Sequence, residues 1–384
     1  MSVTRTRLSD LIVIKNGKDH QALSQGPYPV YGSGGVMRYV SEYLYDGEAV
    51  LLPRKGTLSN IQYAKGKFWT VDTTYYAVVN KNKADTYFLY HLLNHIDLSG
   101  LDSGASIPSM TARTYYSIKI DLPDLTTQKR IANILSTYDS LIEANNRRIE
   151  LLEQTAQELY KEWFVRFRFP GYENTKFENG LPEGWELKKI GDIARVKSGY
   201  AFKSEWWIDE GVPVIKIKDI QGNTIDFNDL SHVSVEHAEI AKQFYVVEGD
   251  LLIAMTGDTI GKMALVPYSE KQLVVNQRVR KFFLGENPAE NVSFLYMTLQ
   301  QNWVQDLIVM IAGSNAAQPN ISPFDIEKIK IVYNKDMVDE YNRRLAAFIN
   351  QILQLRKQNQ NLAAQRDMLS VAVGFRLCYV ADRI

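Results

Sequence analysis

The chain repeats itself, and the repeat limits what it can fold into. LSDLIVIKNG (Leu8 to Gly17) returns as IGDIARVKSG (Ile190 to Gly199), each reading as an apolar strand that ends at a glycine turn. GEAVLLP (Gly47 to Pro53) returns as GDLLIAM (Gly249 to Met255), an acidic turn followed by a buried strand. YFLYHLL (Tyr87 to Leu93) returns as SFLYMTL (Ser293 to Leu299), a short aromatic-rich helix. SIPSMTARTYYSIKI (Ser106 to Ile120) matches AQPNISPFDIEKIKI (Ala317 to Ile331). The four matches keep their order while the spacing between them drifts. Two copies of one scaffold with diverged connecting loops follow, and diverged loops on a common scaffold are where function resides.

A long helix is expected after each copy. In the first, core positions step by four and three: Ile131, Leu135, Tyr138, Ile142, Asn145, Ile149, Leu152, Ala156, Leu159 and Trp163. Nine of these ten are apolar or aromatic in a chain that is 45% hydrophobic, and that alternation describes a coiled-coil seam. The second series runs Val338, Tyr341, Leu345, Phe348, Ile352, Leu355, Asn359, Leu362, Arg366, Leu369 and Val373. Each helix, about forty residues long, would span roughly 60 Å. The first is expected to close at Pro170 and Gly171. Each seam carries one central asparagine, Asn145 and Asn359, and an antiparallel pair with aligned midpoints would bring them together to set register. Solvent or a partner subunit is the other destination for either side chain.

The fold class is therefore α+β: two globular α/β domains and two long antiparallel coiled-coil helices in a pseudo-twofold repeat. The expected boundaries are a first domain at 1–125, its helix at 126–169, a second domain at 170–335, and its helix at 336–373. A tail at 374–384 would pack near the N-terminal domain, because VGFRLCYV (Val373 to Val380) resembles the VRFRF that follows the first helix.

Composition narrows the class further. Charged residues make up 23% of 384 positions, as suits a soluble globular protein of two domains. MSVTRTRLSD lacks the apolar core of a signal peptide, and no apolar run reaches membrane-spanning length. A single cysteine, Cys378, excludes an internal disulfide framework and fits a reducing cytoplasm. Lys+Arg balance Asp+Glu at 44 each. That balance leaves nucleic acid open, since a footprint on DNA needs a local basic face and not a basic total.

The helical segment TTQKRIANILSTYDSLIEANNRRIELLEQTAQELYKEWFVRF (Thr126 to Phe167) resembles the first conserved helical region of the specificity subunits of type I restriction–modification systems. YPVYGSGG (Tyr28 to Gly35), LPEGWELKKIGDIARVKSG (Leu181 to Gly199) and GDLLIAMTGDTIGKMALV (Gly249 to Val266) are similar to that family's recognition-domain motifs. The first copy lacks an LPEGW-like start, the second helix matches less closely, and Met255 and Thr256 stand where the family often has an arginine. The resemblance implies a non-catalytic subunit that reads a bipartite, asymmetric site in double-stranded DNA. It implies two methyltransferase subunits and restriction/translocase subunits as partners. S-adenosylmethionine, ATP and magnesium would be bound on those partners and no cofactor on this chain.

Reading a duplex takes cations for phosphates and bidentate polar side chains for base edges. In the first domain the candidates are Arg54, Lys55, Thr57, Ser59 and Asn60, directly after the VLLP strand. In the second they are Lys216 and Lys218, then Thr256, Thr259 and Lys262, then Gln277, Arg278 and Arg280. The VNQRVRKF run would project alternate side chains from one strand face. Any one of these is otherwise an ordinary solvated surface group. Leu141 lies off the seam and the helix ends in the aromatic cluster Trp163, Phe164 and Phe167, so these four are candidates for docking a partner or for packing under the adjoining domain.

Catalytic signatures are missing from the sequence: there is no GxxxxGK[ST] and no (Asp/Asn/Ser)-Pro-Pro-(Tyr/Phe). Gly32, Gly34 and Gly35 read as a turn. His91 and His95 have the spacing of a helical metal pair without a third ligand and read as structural, so neither a catalytic nor a metal site is expected. Two other readings stay open, the specificity module of a methylation-only or related phage-defence system and a coiled-coil adaptor that binds proteins.

Overall fold

The computed structural model describes residues 3–56, 58–96, 98, 108–313 and 320–377, without the side chains of 258 and 372–377. Thr57, the Val373 side chain and the expected tail packing lie outside the described residues. The chain divides into two compact units. The line between them falls across both long helices, between Ile142 and Glu143 and between Gln360 and Asn361. Each unit is thus one globular domain with part of each helix.

In the first unit Val3–Arg7 pairs with Lys119–Pro123. A six-stranded sheet follows, in the order Ile12–Asn16, Thr74–Val79, Tyr45–Pro53, Gln62–Thr70, Tyr28–Gly32, Gly35–Val40. The helices Thr86–Asn94 and Ala112–Ser117 cover one face. Leu8, Val50, Leu52, Phe88, Leu89 and Tyr115 form the core beneath them.

The second unit repeats this plan. Glu186–Lys189 pairs with Lys330–Tyr333. Arg195–Ser198, Val279–Phe283, Leu251–Ala254 and Met263–Leu265 then follow in the order of the first four strands of the other sheet. Gly17 and Gly199 mark the same place in both. A Cβ on Gly17 would stand 1.9 Å from the Val71 carbonyl oxygen, and one on Gly199 would stand 2.3 Å from that of Asn276. Only glycine admits so close a backbone approach.

The domains differ where one long strand is split. Gln62–Thr70 pairs with both Tyr45–Pro53 and Tyr28–Gly32. Its counterpart is interrupted after Met263–Leu265 and resumes as Leu273–Val275, which joins a separate five-stranded sheet. Divergence reaches the core as well: Asp250 and Lys281 form a buried ion pair at 2.5 Å. The ladder registers place Ala49 and Tyr76 at those positions in the first domain.

Both long helices begin at a side-chain cap. Asp124 accepts the Thr127 N–H at 2.9 Å and Asn334 accepts the Met337 N–H at 3.1 Å. The helices run Leu125–Tyr160 and Lys335–Leu377, 36 and 43 residues. They are antiparallel. Asp139 meets Arg366 in the first unit. In the second, Asn145 meets Asn359, Glu153 meets Arg356, and the Tyr341 hydroxyl donates to the Ala156 carbonyl at 2.7 Å. Every seam position of the first helix is buried or half-buried. In the second the seam drifts at its end: Leu369 is exposed and Ser370 is buried instead.

The first helix does not stay α-helical to Pro170. It ends at Tyr160 and widens into a π-turn over Lys161–Val165, closed by the Arg166 N–H donating to the Lys161 carbonyl at 2.8 Å. Phe167 then takes a left-handed conformation at φ +54°. Trp163 and Phe164, within the π-turn, lie in the second unit's core, where each is 3% exposed. Phe167 is half-buried against Phe177 and Trp185. Trp163 and Phe164 therefore pack under the adjoining domain and offer no docking surface, and Phe167 packs partly beneath it. Leu141, 48% exposed, is the exposed candidate of that group.

Candidate nucleic-acid interface

The turn 54–61 joins Tyr45–Pro53 to Gln62–Thr70, and the turn 255–262 joins Leu251–Ala254 to Met263–Leu265. They are equivalent hairpin turns, and each is flanked by a second turn, at 71–73 and 276–278. Candidates from both domains thus share one edge of the common scaffold.

In the first domain Lys55 and Ser59 are exposed. Asn60 donates to the Ser33 carbonyl at 2.6 Å, and Gln62 donates to the Gly32 carbonyl at 2.8 Å. These bonds hold the hairpin turn to the Gly32–Gly35 turn. Arg54 donates from Nη1 to the Asp72 carbonyl at 3.3 Å, with its guanidinium 5.8 Å from the centre of the Tyr75 ring.

In the second domain Lys262, Gln277 and Arg278 are exposed. Their side chains make no hydrogen bond or ion pair among the described residues. Arg280 is half-buried, donates from Nη1 to the Gln277 carbonyl, and has a buried Nε without an acceptor. Burial pulls its pKa down. Thr259 donates to the Thr256 carbonyl at 2.9 Å, and the Thr256 hydroxyl is buried without a partner.

Two candidates are otherwise engaged. Lys216 donates to the Ser231 hydroxyl at 2.7 Å and lies 3.6 Å from the Trp207 ring centre. Burial lowers its pKa against the opposing pull of Asp219. Lys218 is paired with the Asp229 carboxylate and raised by it. Both lysines close the domain's own loop. The VNQRVRKF run also departs from strict alternation: Gln277 and Arg278 lie in the turn before the strand, which starts at Val279. Within the strand, Val279 and Phe282 are buried, while Arg280 and Lys281 are both half-buried.

Sequence reasoning missed the groups that hold these turns. The bridges Lys55–Ser109 and Thr256–Asn320 tie each hairpin turn to the segment before the next short helix. The offset between the SIPSMT and AQPNIS copies contained that equivalence, since it aligns Ser109 with Asn320.

His91 is buried beside Asp139, with Nε2 at 3.8 Å from the carboxylate, and His95 Nε2 lies 2.5 Å from the Ser370 hydroxyl. Burial first, then Arg366 and His95, lowers the pKa of His91 from 6.5 to about 4. Neutral His91 is therefore the folded form. Below pH 6.5 the unfolded chain takes up a proton that the folded chain refuses, so stability is lost as pH falls from 6.5 towards 4. Replacing His91 by Gln should flatten that part of a melting-temperature-against-pH profile. An unchanged profile would assign the acid sensitivity elsewhere. Among the described residues no three His, Cys, Asp or Glu side chains are grouped to hold a metal, and no helix is long and apolar enough to cross a membrane.

Comparison with known proteins follows the same division. The profile of the type I restriction modification DNA specificity domain matches residues 3–154 and again 182–361. The type I restriction enzyme MjaVIII specificity subunit of Methanocaldococcus jannaschii is 28% identical over 273 residues, 69% of this chain and 64% of that one. The HindI specificity subunit of Haemophilus influenzae is 22% identical over 404 residues, 84% and 86% of the two chains. Among solved structures, the S subunit of a type I restriction-modification system from M. genitalium shares the fold. Its TM-score is 0.58 at 17% identity, over 99% of this chain and 97% of that one.

Proposed function

The chain belongs to the type I restriction-modification DNA specificity family, and from that premise we propose that it is the non-catalytic subunit that reads a split DNA site. One observation carries the reading. Two domains of matching topology place different polar and cationic groups on the same pair of turns. A common scaffold with unlike turns suits two unlike half-sites. In this reading the spacer between half-sites is assigned to the length of the two long helices.

Methyltransferase subunits are the expected partners and would carry S-adenosylmethionine. Restriction/translocase subunits would bring ATP and magnesium. Ile134 and Leu141, seven residues apart on the first helix and 47% and 48% exposed, are the apolar face we assign to methyltransferase docking. The composition and the lone cysteine fit action in the cytoplasm.

The test is DNA binding by the assembled complex as a function of salt. Replacing Arg278 and Lys262 by Ala should weaken binding. It should also reduce the slope of log affinity against log salt by about one for each phosphate no longer neutralised. An unchanged slope would remove this edge from the interface. A complex that retains its methyltransferase yet shows no salt-dependent DNA binding would favour the protein adaptor.

A further inference from the structure

The two domains can be compared residue by residue at their recognition edge. The close approaches of Gly17 and Gly199 make Val71 and Asn276 equivalent. Asp72 then corresponds to Gln277, Thr73 to Arg278 and Tyr75 to Arg280. The ladders make Arg54 correspond to Met255: Leu52 faces Tyr75 as Ile253 faces Arg280, two residues earlier in each chain segment. Backbone bonds agree. Arg54 N–H donates to the Thr73 carbonyl at 2.8 Å and Met255 N–H to that of Arg278 at 3.4 Å. Met110 N–H donates to the Arg54 carbonyl at 3.0 Å and Ile321 N–H to that of Met255 at 3.2 Å.

With that equivalence, the arginines exchange places. In the first domain the guanidinium comes from the residue just after the central strand, Arg54, and the neighbouring strand supplies Tyr75. In the second the residue just after the central strand is fully buried Met255, and the neighbouring strand supplies Arg280. Both guanidiniums nonetheless donate Nη1 to the same carbonyl of the scaffold, Asp72 in one and Gln277 in the other. Two backbone origins thus converge on one guanidinium position.

We propose that Arg54 and Arg280 are equivalent specificity-determining residues, each reading a base edge in its own half-site. This deepens the DNA-reading assignment and rests on it. A phosphate is satisfied by a charge in any orientation, whereas a base edge requires a planar fork held at a fixed angle. Anchoring Nη1 to a turn carbonyl supplies that angle. The Nε of Arg280 is buried and out of reach, while Nη2 makes no hydrogen bond among the described residues, so the outer edge of the guanidinium is left without an acceptor within the protein. Guanine, with O6 and N7 side by side in the major groove, is the base that a guanidinium matches.

The experiment selects duplexes from a random library with the full chain assembled on its methyltransferase subunits, followed by sequencing of the bound pool. Arg54→Lys and Arg280→Lys keep the charge and remove the fork. Each variant should lose discrimination at one guanine position, about 10- to 100-fold, in a different half of the motif, with the other half intact. Binding that weakens with the motif unchanged would make these arginines phosphate ligands. A lowered melting temperature with the motif unchanged would make them staples of the turn, and either result overturns the proposal. If the wild-type complex enriches no motif at all, the DNA-reading assignment fails first and this inference falls with it.

Discussion

Glu153→Leu should lower the unfolding free energy of the chain by about 3–5 kcal/mol, and adding Arg356→Met should restore most of it. Glu153 on the first long helix accepts from Arg356 on the second at 3.0 Å and from the Tyr296 hydroxyl at 2.8 Å. Its other oxygen accepts from Asn223 at 3.3 Å. The side chains of Arg356 and Glu153 are 7% and 16% exposed, so neither charge can be rescued by water when its partner is removed. Arg356 already has one buried Nη1 without an acceptor. Losing Glu153 would leave a whole guanidinium uncompensated, and that cost exceeds the worth of the pair itself. Replacing both by apolar side chains removes the penalty, leaving only the Tyr296 and Asn223 donors without their acceptor. Urea midpoints of the two variants and the wild type measure the difference. Equal midpoints for single and double variants would mean that the charge is not what stabilises the contact.

The same network shows how the domains are tied to the helices. In the second unit an interhelical acid–arginine pair is capped by a tyrosine from the short helix Pro288–Leu299. In the first unit Asp139 pairs with Arg366 at 2.5 Å and accepts from Tyr87 of the short helix Thr86–Asn94. The polarity is reversed, since the first helix supplies the acid both times while the repeat exchanges the helices. Both sites tie the two helices to a short helix of their domain, and neither follows from the apolar period alone.

Periodicity and repetition were legible in the sequence because they are one-dimensional. The seam positions of the first helix could be counted. The spacing of Asn145 and Asn359 from the helix ends also anticipated a pairing at 2.9 Å. What could not be counted depends on backbone register. Matching GEAVLLP to GDLLIAM sets Pro53 against Met255, whereas the ladders set Arg54 there. Only those ladders show that Arg280 delivers its guanidinium to the same carbonyl. The split of one strand into Met263–Leu265 and Leu273–Val275 is likewise hidden, since the segment between them reads as an ordinary loop. Lys216 and Lys218 look as available as Lys262 until Ser231, Trp207 and Asp229 are placed around them.

Trp163 tests the assignment that sequence left open between core and docking surface. Trp163→Ala should cost about 3–5 kcal/mol in the chain alone, with no partner present. The indole is 3% exposed. Its centre is 5.8 Å from that of the Tyr341 ring, and the Arg344 guanidinium lies 5.1 Å from the indole centre. Tyr341 in turn packs on Tyr160 and Phe164, so truncation would open a cavity inside one aromatic cluster that joins both helices to the second domain. Neighbouring rings fixed by two helices cannot collapse to fill it. Leu141→Ala provides the contrast: an exposed leucine should leave the unfolding free energy within about 0.5 kcal/mol of wild type while weakening capture of the methyltransferase subunit. A docking role for Trp163 requires the reverse, an unchanged urea midpoint with capture abolished.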